Sequence, residues 1–271
     1  EHYIQRKEGK HGAELHRGAD HSKDQSYFLF TTTREQLDFL HFPLGGMSKA
    51  ETREHAKRFG LSVADKPDSQ DICFVPDGNY AKIVAKLRPE AFDKGEIVHL
   101  NGKVMGEHNG IANFTIGQSR NLGLGHHEKL YVIKIDPKTR QVFVGPREAL
   151  GTSEFFVKEL NWLGHEAIPA EGLECQVKLR SVHEPVAATI YTTSSPESLS
   201  DSRAIHNPVT SYQLPVTNMD SPRIAYGNSG NDARWKITLH NPQDAVTPGQ
   251  ACVIYNGERM LGGGWITRFK Q

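Results

Sequence analysis

From about Gly95 to the end of the chain, apolar residues fall into short runs separated by turn-forming residues, and this texture restricts the fold to small antiparallel sheets. Ile97-Val98-His99-Leu100 and Lys103-Val104-Met105 flank Asn101-Gly102, a pair that favours the tight turn of a hairpin. A second hairpin is expected between residues 130–135 and 140–144, joined through Asp136-Pro137-Lys138-Thr139. From about Glu154 the pattern repeats in residues 176–180, 186–191, 235–239, 250–255 and 259–267. Five or six strands in that space predict a small antiparallel barrel. Thr192 to Asp232, rich in Ser, Asn, Asp, Pro and Gly, is expected to be a long mobile insertion between strands.

Helix signals are confined to the first third. Ser48 and Glu51 fit a capping box and Gly60 fits a C-terminal stop, so Lys49 to Phe59 is expected to be helical. Lys49, Arg53, Lys57 and Arg58 fall mostly on one side of it, either as a solvated face or turned to a nucleic-acid backbone. A second helix is expected over Tyr80 to Leu87, ending before Pro89. Lys23-Asp24-Gln25-Ser26 precedes the aromatic run Tyr27-Phe28-Leu29-Phe30, which can begin a helix that Asp24 would cap.

Composition narrows the class of protein. The 271 residues are 37% hydrophobic, enough for two or three domains with real cores. Mean hydropathy is -0.54 and no run of about 18 apolar residues occurs, so no membrane partner is expected. No cationic, apolar signal segment opens the sequence, which makes a cytoplasmic location the default. Lys plus Arg and Asp plus Glu number 32 each, an argument against a broad basic surface but not against a local patch. Residues 1–150 hold 22 basic and 20 acidic side chains, so any polyanion footprint should favour that half. Cys73, Cys175 and Cys252 are widely spaced with no Cys-x-x-Cys, which argues against a structural zinc site or a disulfide framework.

One thiol stands in a chemically suggestive place. In Lys66-Pro67-Asp68-Ser69-Gln70-Asp71-Ile72-Cys73-Phe74-Val75, Pro67 disfavours helix at Lys66 and the Asp and Ser side chains favour a turn before an apolar strand. Cys73 at such a strand start is either a reachable nucleophile or a small buried hydrophobe. Cys175 and Cys252 sit in apolar, strand-like surroundings and read as core. Asn121-Leu122-Gly123-Leu124-Gly125 lacks the spacing and the following helix of a dinucleotide fingerprint; the loop from Thr115 to Gly125 is expected instead to cover an active site or a bound RNA.

Asp68-Ser69-Gln70-Asp71-Ile72-Cys73-Phe74 resembles the signature of the tRNA-specific 2-thiouridylases, and it has company. His2-Tyr3, Lys23 to Leu29, Phe42-Pro43-Leu44-Gly45, Gly106 to Gly110, Thr115-Ile116-Gly117-Gln118, Gly249 to Cys252 and Gly262 to Ile266 are similar to segments of that family, in its order, over nearly the whole chain. The resemblance implies an α+β fold: residues 1–92 as the remnant of an α/β ATP-binding domain with a helical tRNA-binding region, 93–152 as a small β domain, and 153–271 as a C-terminal antiparallel β-barrel with a mobile insertion at 192–232.

The family resemblance also implies a chemistry. The wobble uridine is splayed from the tRNA anticodon loop, its O2 is activated by ATP with magnesium, and a cysteine persulfide delivers sulfur, with a second cysteine completing release as a disulfide. Cys73 matches the persulfide carrier; Lys66 would favour its thiolate, and Asp68 and Asp71 oppose it. A cysteine desulfurase or sulfur-relay protein is the implied donor. His2, Lys23, Asp24, Gln25, Arg180 and Gln250 match tRNA-contacting positions, whereas Ser181 stands where the family has an aromatic that could stack on a base. The Ser-Gly-Gly-x-Asp-Ser phosphate loop that holds ATP in the family does not occur in these 271 residues, so no cofactor-binding residue is assigned here. The chain therefore reads as the C-terminal portion of a larger enzyme or a truncated homologue. A tRNA-binding module without catalysis is the first rival; a cysteine hydrolase pairing Cys73 with one of 14 histidines is the second.

Overall fold

The computed structural model describes residues 3–62, 64, 80–125, 129–193 and 234–267. His2, Cys73 with its turn, and nearly all of the expected insertion lie outside the described residues.

The chain begins with a hairpin, β1 (Ile4–Gly9) and β2 (Gly12–Arg17), paired in register from Ile4 with Arg17 to Gly9 with Gly12. Two short 3-10 turns follow, His21–Lys23 and Ser26–Leu29, and the second stands where a helix after Asp24 was expected. Ser26 and Tyr27 turn into the interior there, and the hydrogen bonds of their side chains hold the backbone in tight single turns. Three α-helices are described: α1 (Arg34–Phe39), α2 (Lys49–Arg58) and α3 (Tyr80–Leu87). The predicted box caps α2, with the Glu51 amide donating to Ser48 Oγ and the Ser48 amide to Glu51 Oε2. Thr33 and Gln36 form a second box on α1.

The small β unit contains β3 (Gly95–His99), β4 (Val104–His108), β5 (Tyr131–Asp136) and β6 (Gln141–Gly145), ordered β4-β3-β6-β5 with β3 and β6 parallel. Ile97, Val132, Val142 and Val144 form its core. Both predicted hairpins are present, and Asn101 Oδ1 accepts the Lys103 amide to brace the first turn.

The remaining strands are β7 (Gly151–Trp162), β8 (Leu173–Lys178), β9 (Val186–Thr193), β10 (Arg234–Asp244), β11 (Ala251–Asn256) and β12 (Arg259–Thr267). They run β12-β11-β8-β9-β10-β7 and close on themselves through β12 and β7, giving a six-stranded antiparallel barrel. This closure leaves no unpaired edge inside the ring. Phe155, Val177, Ile190, Ile237, Ile254 and Ile266 fill it.

The first hairpin joins the same sheet, because β2 pairs with β12 at His16 and Arg259. Its core of Ile4, Leu15, Leu37, Val253, Tyr255 and Met260 covers the outside of β11 and β12. Ala251 to Tyr255 are therefore buried on both faces of the sheet, which accounts for an unbroken apolar run where a half-exposed strand would alternate. Cys175 and Cys252 are free and buried in the barrel core, where burial pushes the Cys175 thiol up to about 12.

Three consecutive glycines on β12 permit the closure. Gly262 has φ +134, and a Cβ there would lie 2.0 Å from Asn161 O. Gly262→Ala should therefore cost about 2–3 kcal/mol or more in denaturant unfolding. Gly257→Ala, at φ +57 in open space, should cost about 1 kcal/mol.

A polar seam between hairpin and barrel adds a pH dependence. The Glu14 carboxylate meets His16 Nε2 at 3.1 Å, Arg259 Nη1 at 3.2 Å and His165 Nε2 at 3.4 Å. Arg34 Nη1 lies 3.4 Å from His165 Nδ1, and the His11 ring lies 4.9 Å from that of His165. Burial, then Arg259 and Arg34, hold His165 below the usual histidine value. The unfolded chain thus takes up this proton first as the pH falls, and stability is lost on descending through about 6.5. Unfolding midpoints measured from pH 7 to 5 should fall, and His165→Gln should flatten the decline.

Candidate functional site

Two groups of the predicted site residues are visible. The first is the turn after β2. Lys23 ends a 3-10 turn, half-buried, and Gln25 is tied to Tyr3 by two bonds: the Gln25 amide donates to Tyr3 O at 3.2 Å and the Tyr3 amide to Gln25 Oε1 at 3.3 Å. Asp24 lies between them with its side chain wholly inside the protein. Its Oδ1 accepts the amides of Gly18 at 3.2 Å and Ser26 at 3.1 Å; its Oδ2 accepts Ser26 Oγ at 3.0 Å and Lys178 Nζ at 3.2 Å. Arg17 Nε stands 3.5 Å away. Burial works to raise the Asp24 carboxyl, but the bonds from Ser26 and Gly18 and the charge of Lys178 prevail and hold it below the ordinary carboxylate range.

The second group lines a cleft of about 460 Å³ where the small β unit meets the barrel. Arg180 and Gln250, which are 70 positions apart in sequence, both face it, with Thr115, Gly117, Tyr131 and Arg147 opposite or beside them. Arg180 follows β8 and donates through Nη2 to Ala245 O at 2.9 Å and Asp244 O at 3.2 Å, which aims the guanidinium along one wall. Arg147 Nε meets Asp244 Oδ2 at 3.2 Å across the exposed rim. The Gln250 side-chain oxygen is buried and has no hydrogen-bond partner. A buried acceptor left unpaired carries a desolvation cost.

The Thr115-Ile116-Gly117-Gln118 segment reaches this cleft for a backbone reason. Gly117 N donates to Val132 O and Val132 N to Gln118 O, each at 2.8 Å, so the loop runs alongside β5. Gly117 takes φ +88, and a Cβ there would come within 3.0 Å of the Ala245 methyl. Only glycine lets the loop approach the barrel this closely.

Ser181 is half-buried beside Arg180, and its neighbour His183 is held below the usual histidine value by burial and by Arg180. His2 and Cys73 lie outside the described residues. Among the described residues, no three His, Cys, Asp or Glu side chains gather to hold a metal ion, and no helix is long and apolar enough to cross a membrane. Sequence reasoning missed Arg147 and Tyr131 as cleft residues. Arg147 is one of 32 basic residues with no motif around it, and Tyr131 reads only as a strand aromatic.

Comparison with known proteins agrees along the chain. Family models match in sequence order: a tRNA methyl transferase HUP domain over residues 1–77, a tRNA methyl transferase PRC-barrel domain over 82–146, and an aminomethyltransferase beta-barrel domain over 225–266. The tRNA-specific 2-thiouridylase MnmA of Rickettsia felis is 50% identical over 267 residues, covering 98% of this chain and 63% of its own length. Those of Rickettsia conorii and Rickettsia canadensis are each 49% identical over the same span, with 62% of their lengths covered. The chain thus spans less than two thirds of the length of these relatives. With three models in one order and about half of all residues shared from end to end, the chain belongs to the tRNA-specific 2-thiouridylase family.

Proposed function

We propose that this chain forms the RNA-holding and sulfur-carrying part of an enzyme that replaces O2 of a tRNA wobble uridine with sulfur. The observation that carries this reading is identity near one half, across 98% of the chain, with relatives named for uridine thiolation in tRNA. The cleft geometry supports it. Arg180 and Arg147 offer cationic donors for phosphate, Gln250 lines the same cleft, and Tyr131 offers an aromatic wall. Lys23 supplies a further point charge on the turn after β2, while Gln25 is bonded to Tyr3, the residue that follows His2 in sequence. Ser181 gives this cleft no stacking ring at its position, so base stacking falls to other groups.

In this reading Cys73 carries the transferable sulfur as a persulfide supplied by a cysteine desulfurase or relay protein, and the tRNA partner is engaged through its anticodon region. ATP with magnesium supplies the activation that turns the uridine oxygen into a leaving group; no residue of this chain is assigned to hold it. The domain division at 92 and 152 follows the same reading, with the barrel and the small β unit forming the two sides of the RNA cleft. A solute that must meet tRNA fits a cytoplasmic location.

Cys73→Ser, in the longest natural form of the enzyme, should abolish 2-thiouridine formation, measured by nucleoside mass spectrometry, while tRNA affinity stays within about twofold. Continued thiolation by that variant would remove Cys73 from the chemistry; unaltered thiol chemistry with no RNA affinity in the parent would favour the hydrolase class. Lys23→Ala should weaken tRNA binding and reduce the slope of log affinity against log salt by about one, the signature of one lost phosphate contact. An unchanged slope would leave Lys23 a structural residue.

A further inference from the structure

The two candidate contact groups are joined through the protein interior by Asp24 of the first group and by Ser26, Tyr27 and Lys178, which neither group contains. Tyr27, buried two residues after Gln25, places its hydroxyl 3.1 Å from Ala251 O and 3.4 Å from Leu179 O. Ala251 directly follows Gln250, and Leu179 directly precedes Arg180. One phenol therefore touches the backbone of both strands that present the cleft residues. Asp24 adds a second tether, because its carboxylate holds Lys178, two positions before Arg180. Ser26 adds a third: its hydroxyl lies 3.0 Å from Asp24 Oδ2 and 2.9 Å from Tyr255 Oη on β11. Asp24, Ser26, Tyr27, Lys178 and Tyr255 are all buried, so water does not compete for these bonds.

We propose that Asp24, Lys178 and Tyr27 are positioning residues that fix the Lys23–Gln25 turn at one spacing from the Arg180 and Gln250 cleft, so that a single RNA engages both at once. The inference rests on the tRNA reading above and adds residues to it. Asp24 has no exposed side-chain surface, so it acts through Lys23 and Gln25 on either side rather than by touching RNA. Two contacts held at a fixed separation bind together without a further ordering cost; once the seam loosens, engaging one no longer presents the other.

The test is a double-mutant cycle on the purified chain, read as affinity for an unmodified tRNA transcript carrying a wobble uridine, well below the unfolding temperature of every variant. Lys23→Ala and Arg180→Ala should each weaken binding. Tyr27→Phe removes only the hydroxyl and should weaken binding about three- to tenfold. In the Tyr27→Phe background, Lys23→Ala should cost clearly less than in the parent, because the turn is no longer presented with the cleft. Full additivity of the two changes would overturn the proposal, since a mere loss of stability gives additive effects at temperatures where all variants are folded. Unchanged affinity of Tyr27→Phe, with Lys23→Ala and Arg180→Ala both weakened, would sink the seam and spare the tRNA reading. No effect of Lys23→Ala or Arg180→Ala would sink that reading and the seam with it. Should Tyr27→Phe not fold, Ser26→Ala, which severs Asp24 from Tyr255, enters the same cycle with the same expected and overturning results.

Discussion

The carboxylate of Asp24 and the ammonium of Lys178 meet inside the protein, with 0% and 3% of their side chains exposed, and the arrangement of the first hairpin against the barrel depends on that pair. Two charges withdrawn from water cost several kcal/mol each unless they are fully engaged. Asp24 is engaged: two amides, a hydroxyl and Lys178 share its two oxygens, and Arg17 stands close by. Such a pair adds little to stability compared with an apolar pair of the same size, yet removing one partner alone costs about 3–5 kcal/mol. Its effect is on position. Apolar packing by itself sets position only loosely, whereas this carboxylate is satisfied at one docking of the turn on β8.

That fixed docking explains how a closed barrel can carry a site on its rim. Closure through β12 and β7 makes the barrel rigid, and the glycines at 262–264 bring the backbones close enough to close it. The strands β8 and β11 are neighbours in that ring, so Arg180 and Gln250 emerge side by side although distant in sequence. Arg180 is then held by the carbonyls of Asp244 and Ala245, the latter in a left-handed conformation at φ +54 that turns the carbonyls toward it. The loop at Gly117 completes the cleft from the small β unit. Each wall is thus set by backbone hydrogen bonds before any ligand arrives, the condition under which few polar groups suffice for recognition.

Much of the fold was legible in the residues. Asn101-Gly102, the 136–139 turn and the box of Ser48 with Glu51 each act locally, so their sequence signals survive in the folded chain. β7 escaped notice because its outward Glu154, Lys158 and Glu159 break up the apolar run, and its inward Phe155 and Val157 make sense only once the barrel is known. The helix expected after Asp24 gave way to a single 3-10 turn because the buried side chains of Ser26 and Tyr27 are bonded to the barrel, a tertiary demand invisible to local propensity. The cleft was legible only through family resemblance: nothing in the spacing of Arg180 and Gln250 announces that neighbouring strands bring them together. Arg147 and Tyr131 carried no signal of either kind.

A chain with 32 basic and 32 acidic residues has no net pull on a polyanion, so the proposed RNA role would rest on individual, well-placed cations. The structure supplies a way. Arg180 is already oriented by carbonyls, and the turn bearing Lys23 is fixed by Asp24 beneath it, so in the proposed reading an RNA backbone would meet charges whose positions are set in advance. Non-specific RNA, which can touch one such charge at a time, gains little from this arrangement, because each isolated contact is screened over about 8 Å at physiological salt. In the same reading, an RNA whose shape spans both groups would gain from all of them together. Under the proposed role, electroneutrality, which argued against a broad basic surface, would become a source of discrimination: general attraction is withheld and only a ligand of matching shape would be rewarded.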